Sequence, residues 1–393
     1  MEAEYTYLLH LLGAHLREET PGPAENADWN TLFSLAQIHG VSGIVGYMGM
    51  RHALCPDPGM AAELRRLCMG TVTLYGRRFA LAQALDRELE QAGIDHILMK
   101  GYVLRDCFPV PELRTFTDID LVIRPEDRHR CHERMLSLGF AVKDDWEPVY
   151  SYHRGSEYYE IHTRIMEIDV SDKADYRGYF DRAWTHARPV SAHSFRFTPE
   201  FHFLYLLTHI AKHLHGSGAG IRLYLDVAAF VQHHGKALDW LWIIEQLREL
   251  KLLDFARTVL SAAEVWFGVR CPIDFAPMPE GTLAAFTAFT LEAGVFGHHN
   301  RDGALSAMKH EAGTEPADRA RLLLRMAFPS ADSIRSRYTY LQDRPWLLPV
   351  AWVHRLIKTS AGTEQHLETA RQIIRADTEE VDHLKQLMKD IGL

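Results

Sequence analysis

Between Thr71 and Gly93, leucines recur at positions 74, 81, 85 and 89 on one helical face, and Gly93 closes the run as a C-terminal cap does. The period then changes. Ile94 to Met99 is a short apolar, partly β-branched run punctuated by Lys100-Gly101, and Thr117 to Ile123 alternates polar and apolar like a half-buried strand. Pro125 opens a helix whose Cys131, Met135 and Leu138 share a face, Gly139 ends it, and Tyr158 to Met166 reads as a further strand. Helix, strand, helical turn, strand, helix and strand together predict a small α/β unit over residues 71–195. Residues 1–70 read as helical, with a helix from Tyr5 to Arg17, a loop at Pro21-Gly22-Pro23, and Asp28 capping a second helix through Trp29, Leu32, Phe33 and Ala36. After Thr198-Pro199 the helical period returns over 196–393, with breaks at Pro329 and at Pro345 to Pro349. The fold class is therefore α+β, a small mixed-sheet core flanked by an N-terminal and a large C-terminal helical region. Trp346-Leu347-Leu348-Pro349 with Trp352 forms an apolar cluster expected to pack on that core. The last helix aligns Leu384, Leu387, Met388 and Ile391 for docking to the body or to a second subunit.

Composition narrows the class. The chain has 393 residues, enough for two or three domains, and its 47% hydrophobic and 24% charged content sets aside disordered, collagenous and disulfide-scaffold readings. A net charge of -9 disfavours gripping nucleic acid by counterion release. Five scattered cysteines with no C-x-x-C pair point to a reducing compartment and away from a thiolate zinc site. Met1-Glu2-Ala3-Glu4 is acidic where a signal peptide would be basic, and the longest apolar run, near Trp346 to Val353, falls short of the roughly 20 residues that span a bilayer. The expected location is the cytoplasm, with no membrane partner.

The candidate chemistry centres on Asp118 and Asp120. Two residues apart on a strand, their carboxylates share one face while Ile119, Leu121 and Ile123 turn into the core. Such a pair suits one shared cation or a two-metal clamp for in-line phosphoryl transfer, and oxygen ligands favour Mg²⁺ or Mn²⁺ over zinc. Asp-x-Asp also occurs on ordinary solvated strands, so its neighbours decide. Lys100-Gly101 closes the preceding strand, where glycine lets backbone N–H groups approach a phosphate and lysine adds a compact positive charge. Glu160, in Tyr158-Tyr159-Glu160-Ile161-His162, brings a third carboxylate that needs either solvent or a cation, with His162 on its side of the sheet.

These residues carry a resemblance. Leu98-Met99-Lys100-Gly101, then Leu113-Arg114, then Thr117-Asp118-Ile119-Asp120-Leu121-Val122 resemble the signature of a bacterial family of uncharacterised nucleotidyltransferases within the DNA polymerase β superfamily. Glu160-Ile161-His162 is similar to its acid-x-His strand. His209-Ile210-Ala211-Lys212-His213, Gly218-Ala219-Gly220-Ile221-Arg222 and Asp226 resemble its second block, and Phe328-Pro329-Ser330 and Leu347-Leu348-Pro349 with Arg355 its C-terminal block. The Gly-Ser pair usual in the wider superfamily is here Lys100-Gly101, as in the family itself.

The resemblance implies a polymerase β-like core and attack by an acceptor hydroxyl on the α-phosphate of a nucleoside triphosphate, with pyrophosphate leaving. Asp118, Asp120 and Glu160 would hold the Mg²⁺ (or Mn²⁺), with Lys100, Gly101 and Arg114 on the triphosphate. For Arg114 a local salt bridge with Asp118, four residues on, competes with that role. His162, His209, His213, Arg222 and Asp226 are candidates for supporting roles around this centre. His209 and His213 share a helical face without forming H-E-x-x-H, which excludes a zinc peptidase, and Arg222 and Asp226 can pair across one helical turn. No Walker A sequence occurs. The expected activity is transfer of a nucleoside monophosphate, AMP from ATP, to a protein or small-molecule hydroxyl, an antibiotic-modifying adenylyltransferase being one special case. A catalytically idle nucleotide-binding scaffold is the alternative. Template-directed polymerisation lacks the basic arm and aromatic stripe that a nucleic acid strand requires.

Overall fold

The computed structural model describes residues 2–24, 27–55, 57–116, 118–166, 170–215, 218–276, 278–292, 316–334, 338, 340–358, 371, 373–374 and 377–393. Thr117 of the acid motif, Gly216 just before the Gly218-Ala219-Gly220 block and parts of the C-terminal helical stretch lie outside them. Four helices precede the sheet: α1 (Glu2–Leu16), α2 (Trp29–Ile38), α3 (Ser42–Arg51) and α4 (Pro58–Gln91). Asp28 caps α2 by accepting from the Asn30 and Thr31 N–H groups, as its side chain and position predict. Asp57 and Pro58 start α4, which runs unbroken for 34 residues. The division anticipated at residue 70 thus falls within one helix. Gly93 follows α4 at φ +64°, a conformation that glycine adopts without strain.

The sheet has seven strands: β1 (His96–Leu98), β2 (Ile119–Ile123), β3 (Ala141–Trp146), β4 (Val149–Arg154), β5 (Glu157–His162), β6 (Ala187–Pro189) and β7 (Ser194–Phe197). Their spatial order is β3-β4-β5-β2-β1-β7-β6. β2 runs antiparallel to β1 and parallel to β5, so the sheet is mixed. α5 (Gly101–Leu104) is a single turn after β1, and α6 (Arg128–Ser137) links β2 to β3. Two strand pairs, β3–β4 and β6–β7, are additions to the sequence-based outline, and β5 ends at His162, short of Met166. After α7 (Tyr176–Phe180), the helical part comprises α8 (Pro199–His215), α9 (Ile221–His234), α10 (Trp240–Glu249), α11 (Leu253–Phe267) and α12 (Glu280–Glu292), with a terminal helix at Thr378–Asp390.

Strand alternation sorts the core in two. Leu98, Ile119, Leu121, Ile123, Tyr159 and Ile161 pack with Leu85 and Leu89 of α4 and Cys131 and Met135 of α6. On the other parity, Ile97, Met99 and Val122 join a larger core with Leu8 and Leu12 of α1, Tyr205 of α8, Tyr224 of α9 and Phe267 of α11. The N-terminal helices therefore share one core with the C-terminal ones: α1 lies against α9 and α11. The terminal helix docks on the body, with Met388 and Ile391 buried and the Ile391 carbonyl accepting from Thr258 Oγ1 at 3.0 Å. The tryptophan-leucine cluster behaves otherwise than expected. Leu347, Leu348 and Trp352 pack locally on Ile334, Tyr338 and Leu341, Pro349 lies in the first turn of a helix at Leu348–Lys358, and Trp346 is 71% exposed. Among the described residues no helix is long and apolar enough to cross a membrane.

Candidate active site

The β2–β5 register brings the acids together. Asp120 lies opposite Glu160, and Val122 opposite His162, on adjacent parallel strands. Because strands alternate, Asp120, Glu160 and His162 share the sheet face that looks toward the helical part. Ligand-capable atoms of these three side chains all lie within 4.8 Å of one another. Asp118 sits one residue before β2 begins, half-buried, within electrostatic reach of Asp120, Lys100 and Glu160.

Lys100 occupies the corner between β1 and α5, and its Nζ donates to Asp120 Oδ1 at 2.5 Å. Its backbone holds φ +51° and ψ −129°, a region costly for any side chain, so the surrounding hydrogen bonds must hold it there. They do: its carbonyl accepts from the N–H groups of Val103 and Leu104, and Met99 N–H, beside it, donates to the Asp120 carbonyl. Gly101 follows, buried, and a Cβ there would meet Arg114 Nη1 and Phe116 Cβ at 2.6 Å each. Glycine here lets the β1–α5 corner close onto the segment that leads into the acids.

The protonation states interlock. Burial opposes charge on Lys100, yet Asp120, with Tyr205 and Asp118 beyond it, carries the ammonium pKa well above its ordinary value. Burial likewise opposes the Asp120 carboxylate, but Lys100 and the His162 hydrogen bond at 3.1 Å hold it far below the usual carboxylate range. Asp118 moves the other way, pushed up by burial and then by the neighbouring Asp120 charge. His162 is drawn up against burial by its hydrogen bond to Asp120, and its Nε2 lies 3.7 Å from Glu160 Oε2. Tyr158 donates to Glu160 Oε1 at 3.3 Å. That donor was legible in principle, since Tyr158 is two residues from Glu160 on the same strand face.

α8 and α9 close the site from the helical side. His209 and His213 place their Nε2 atoms 3.2 Å apart. Burial and then the His213 charge hold His209 well below the ordinary histidine value, with Lys100 and His162 adding to the effect, and burial and Lys212 bring His213 down to about 4. Arg114 takes a distant partner. Its Nε and Nη2 clasp both oxygens of Asp226, 112 residues away on α9, at 2.8 and 2.5 Å, with both side chains at most 6% exposed. Asp226 consequently serves Arg114, where the sequence offered it Arg222. Arg222 instead approaches Thr115 Oγ1 at 3.4 Å, and its Nε is buried without a hydrogen-bond partner. Burial and the adjacent Arg114 charge pull its pKa down, outweighing the opposing pull of Asp226 and Asp118.

A sequence model of a family described as uncharacterised nucleotidyltransferase matches residues 25–268. The chain belongs to that family. The match spans the whole sheet and α8 through α11, so it contains every residue of the site, and it ends before α12 and the terminal helix. No curated protein and no solved structure matches the chain. For a member of a nucleotidyltransferase family the donor set is apt: two carboxylates and an imidazole converge, and an ammonium already sits on Asp120 where a cation is wanted. Hard oxygen donors suit Mg²⁺, and a nitrogen beside them makes Mn²⁺ equally acceptable.

Proposed function

We propose that this chain is an active, divalent-metal-dependent nucleotidyltransferase with a polymerase β-like core that moves AMP from ATP to a hydroxyl of a protein or small molecule. The observation that carries the reading is the pairing of Asp120 with Glu160 in the β2–β5 register, with Lys100 on the Asp120 carboxylate. Acids brought together only to face water would need no ammonium held on the buried Asp120 carboxylate.

In this reading Asp118, Asp120 and Glu160 hold Mg²⁺ or Mn²⁺. When bound, that ion polarises the α-phosphate and offsets the charge gathering on it. The chain's own residues do the rest. His162 fixes the Asp120 carboxylate, Tyr158 fixes that of Glu160, and the β2–β5 register sets their spacing. Lys100 supplies a point charge to the triphosphate. Arg222, with its partnerless Nε, is the better guanidinium for a phosphate oxygen, because the Arg114 fork already holds Asp226. Arg114 then acts by anchoring the Arg114–Asp118 segment to α9. The acceptor oxygen bonds to the α-phosphorus as its proton passes to water, the bond from that phosphorus to the α–β bridging oxygen breaks, and pyrophosphate leaves.

The raised pKa of Asp118 favours an active enzyme over an idle scaffold, since an unused carboxylate in a place that penalises its charge would be easily replaced. The test is incubation with Mg²⁺ or Mn²⁺ and each triphosphate labelled at the α-phosphate, with and without cell extract. Label reaching protein or a small molecule with the parent and not with Asp118→Asn supports the reading. Equal transfer by both refutes the site, and no label under any condition shifts weight to the scaffold.

A further inference from the structure

A cavity of about 620 Å³ lies away from the carboxylates. None of Lys100, Asp118, Asp120, Glu160, His162, His209 or His213 lines it. Its wall on α8 is formed by Ala211, Leu214 and His215, which at 100° per residue lie on the face of that helix opposite His209 and His213. The volume falls in the range of small-molecule sites.

Its charge is unusual for this chain. Four of the ten lysines, Lys173, Lys251, Lys385 and Lys389, line the cavity, and none of the 33 arginines does. They come from three separate stretches of sequence, against the Asp172 side chain and the α-carboxylate of Leu393. In a chain of net charge -9 such a gathering of one sign is a local field that attracts an anion. An apolar floor is supplied by Leu214, Leu252 and Met388, all three buried.

The walls are held firmly. Lys251 follows α10 at φ +55°, the left-handed position where glycine is usual and a lysine is strained. The end of the terminal helix is seated by Gly392, at φ +92°, where a Cβ would meet the Phe255 backbone N at 2.5 Å. Strain retained at Lys251 while a glycine would relieve it argues that its side chain is wanted in the cavity. Lys385 and Lys389 lie beyond the family match, so half of the charge belongs to a part of this chain that the family match does not reach.

We propose that this cavity binds a phosphate-bearing small molecule with an apolar body, at a site separate from the carboxylate cluster. The lysines supply point charges for a dianionic phosphate and the apolar floor receives the body. The probe is 1-naphthyl phosphate, titrated calorimetrically into the full chain without added metal, against 1-naphthoate and 1-naphthol. The parent should bind the phosphate at least tenfold more tightly than either analogue. Lys173→Gln, Lys251→Gln and Lys389→Gln combined should weaken it at least tenfold, and Asp120→Asn should leave it unchanged. Lys251→Gly serves as a folding control, because it should raise the melting temperature while weakening the probe. Absence of binding to the parent, binding by the triple variant within twofold of the parent, equal affinity for 1-naphthoate or 1-naphthol, or loss of binding in Asp120→Asn would each overturn the proposal.

Discussion

On β2, Ile119, Leu121 and Ile123 turn toward α4 and α6 and are at most 4% exposed, whereas Asp120, one position away, turns to the opposite face and meets Lys100, His162 and Glu160. The same alternation runs along β5, where Tyr159 and Ile161 face the apolar side and Glu160 and His162 the charged one. One face is held by non-directional burial, which tolerates a substitution in proportion to the volume lost. The other is held by charge pairs that cost free energy to bury and stand only as a set. Neighbouring residues on one strand should therefore respond to substitution in opposite ways, one class losing stability and the other losing chemistry.

The sharpest contrast is expected at Asp118. Asp118→Asn should cut nucleotidyl transfer by on the order of a thousandfold or more while the melting temperature stays level or rises, because burial and Asp120 disfavour the native carboxylate. Steady-state rates and calorimetry on the same preparation would show it, and a fall in both would erase the distinction between the faces. Next comes the Arg114–Asp226 clasp. Removing either partner alone should destabilise by about 3–5 kcal/mol, and Arg114→Met with Asp226→Leu should recover most of that, as read by denaturant unfolding of the four-member cycle. On the apolar face, Leu121→Ala should cost about 2–5 kcal/mol, with the transfer rate of the folded fraction held near that of the parent.

The smallest effect is one of pH. Burial leads the lowering of His15 and His39 to about 4 and of His202 to about 3. A histidine whose native pKa lies below its unfolded value contributes fully above about pH 6.5 and loses that contribution as pH falls toward the native value. Stability should accordingly decline from about pH 6.5 to 4. His39→Gln should flatten part of the slope, and a slope unchanged by that variant would exclude the mechanism.

Features governed by short-range pattern were legible in the sequence. The parity of β2 sets Asp120 against Ile119, Leu121 and Ile123 within five residues, while Asp118, expected on the same strand, precedes it by one residue, and Asp28 and Gly93 mark helix ends through local hydrogen bonding and φ. The β3–β4 pair was missed because Ala141 to Trp146 places Lys143-Asp144-Asp145 in a row, which hides the period of two. What pairs with Arg114 was beyond reach for another reason. Its partner lies 112 residues away on α9, and nothing in local spacing distinguishes that from the nearer Asp118. The continuity of α4 through residue 70 and the shared core of α1 with α11 are likewise tertiary facts. Arg222 looked like half of a helical pair until the competition for Asp226 was resolved by packing.

The most direct test of a charged face built for a divalent ion is Mn²⁺ binding followed by electron paramagnetic resonance, comparing the parent with Asp120→Asn and Glu160→Gln in the presence of a triphosphate whose α–β bridge cannot be cleaved. The parent should bind Mn²⁺ saturably, and each variant should weaken that binding at least tenfold while retaining a cooperative thermal transition. Equal Mn²⁺ affinity in all three proteins would mean that Asp120 and Glu160 meet for structural reasons alone.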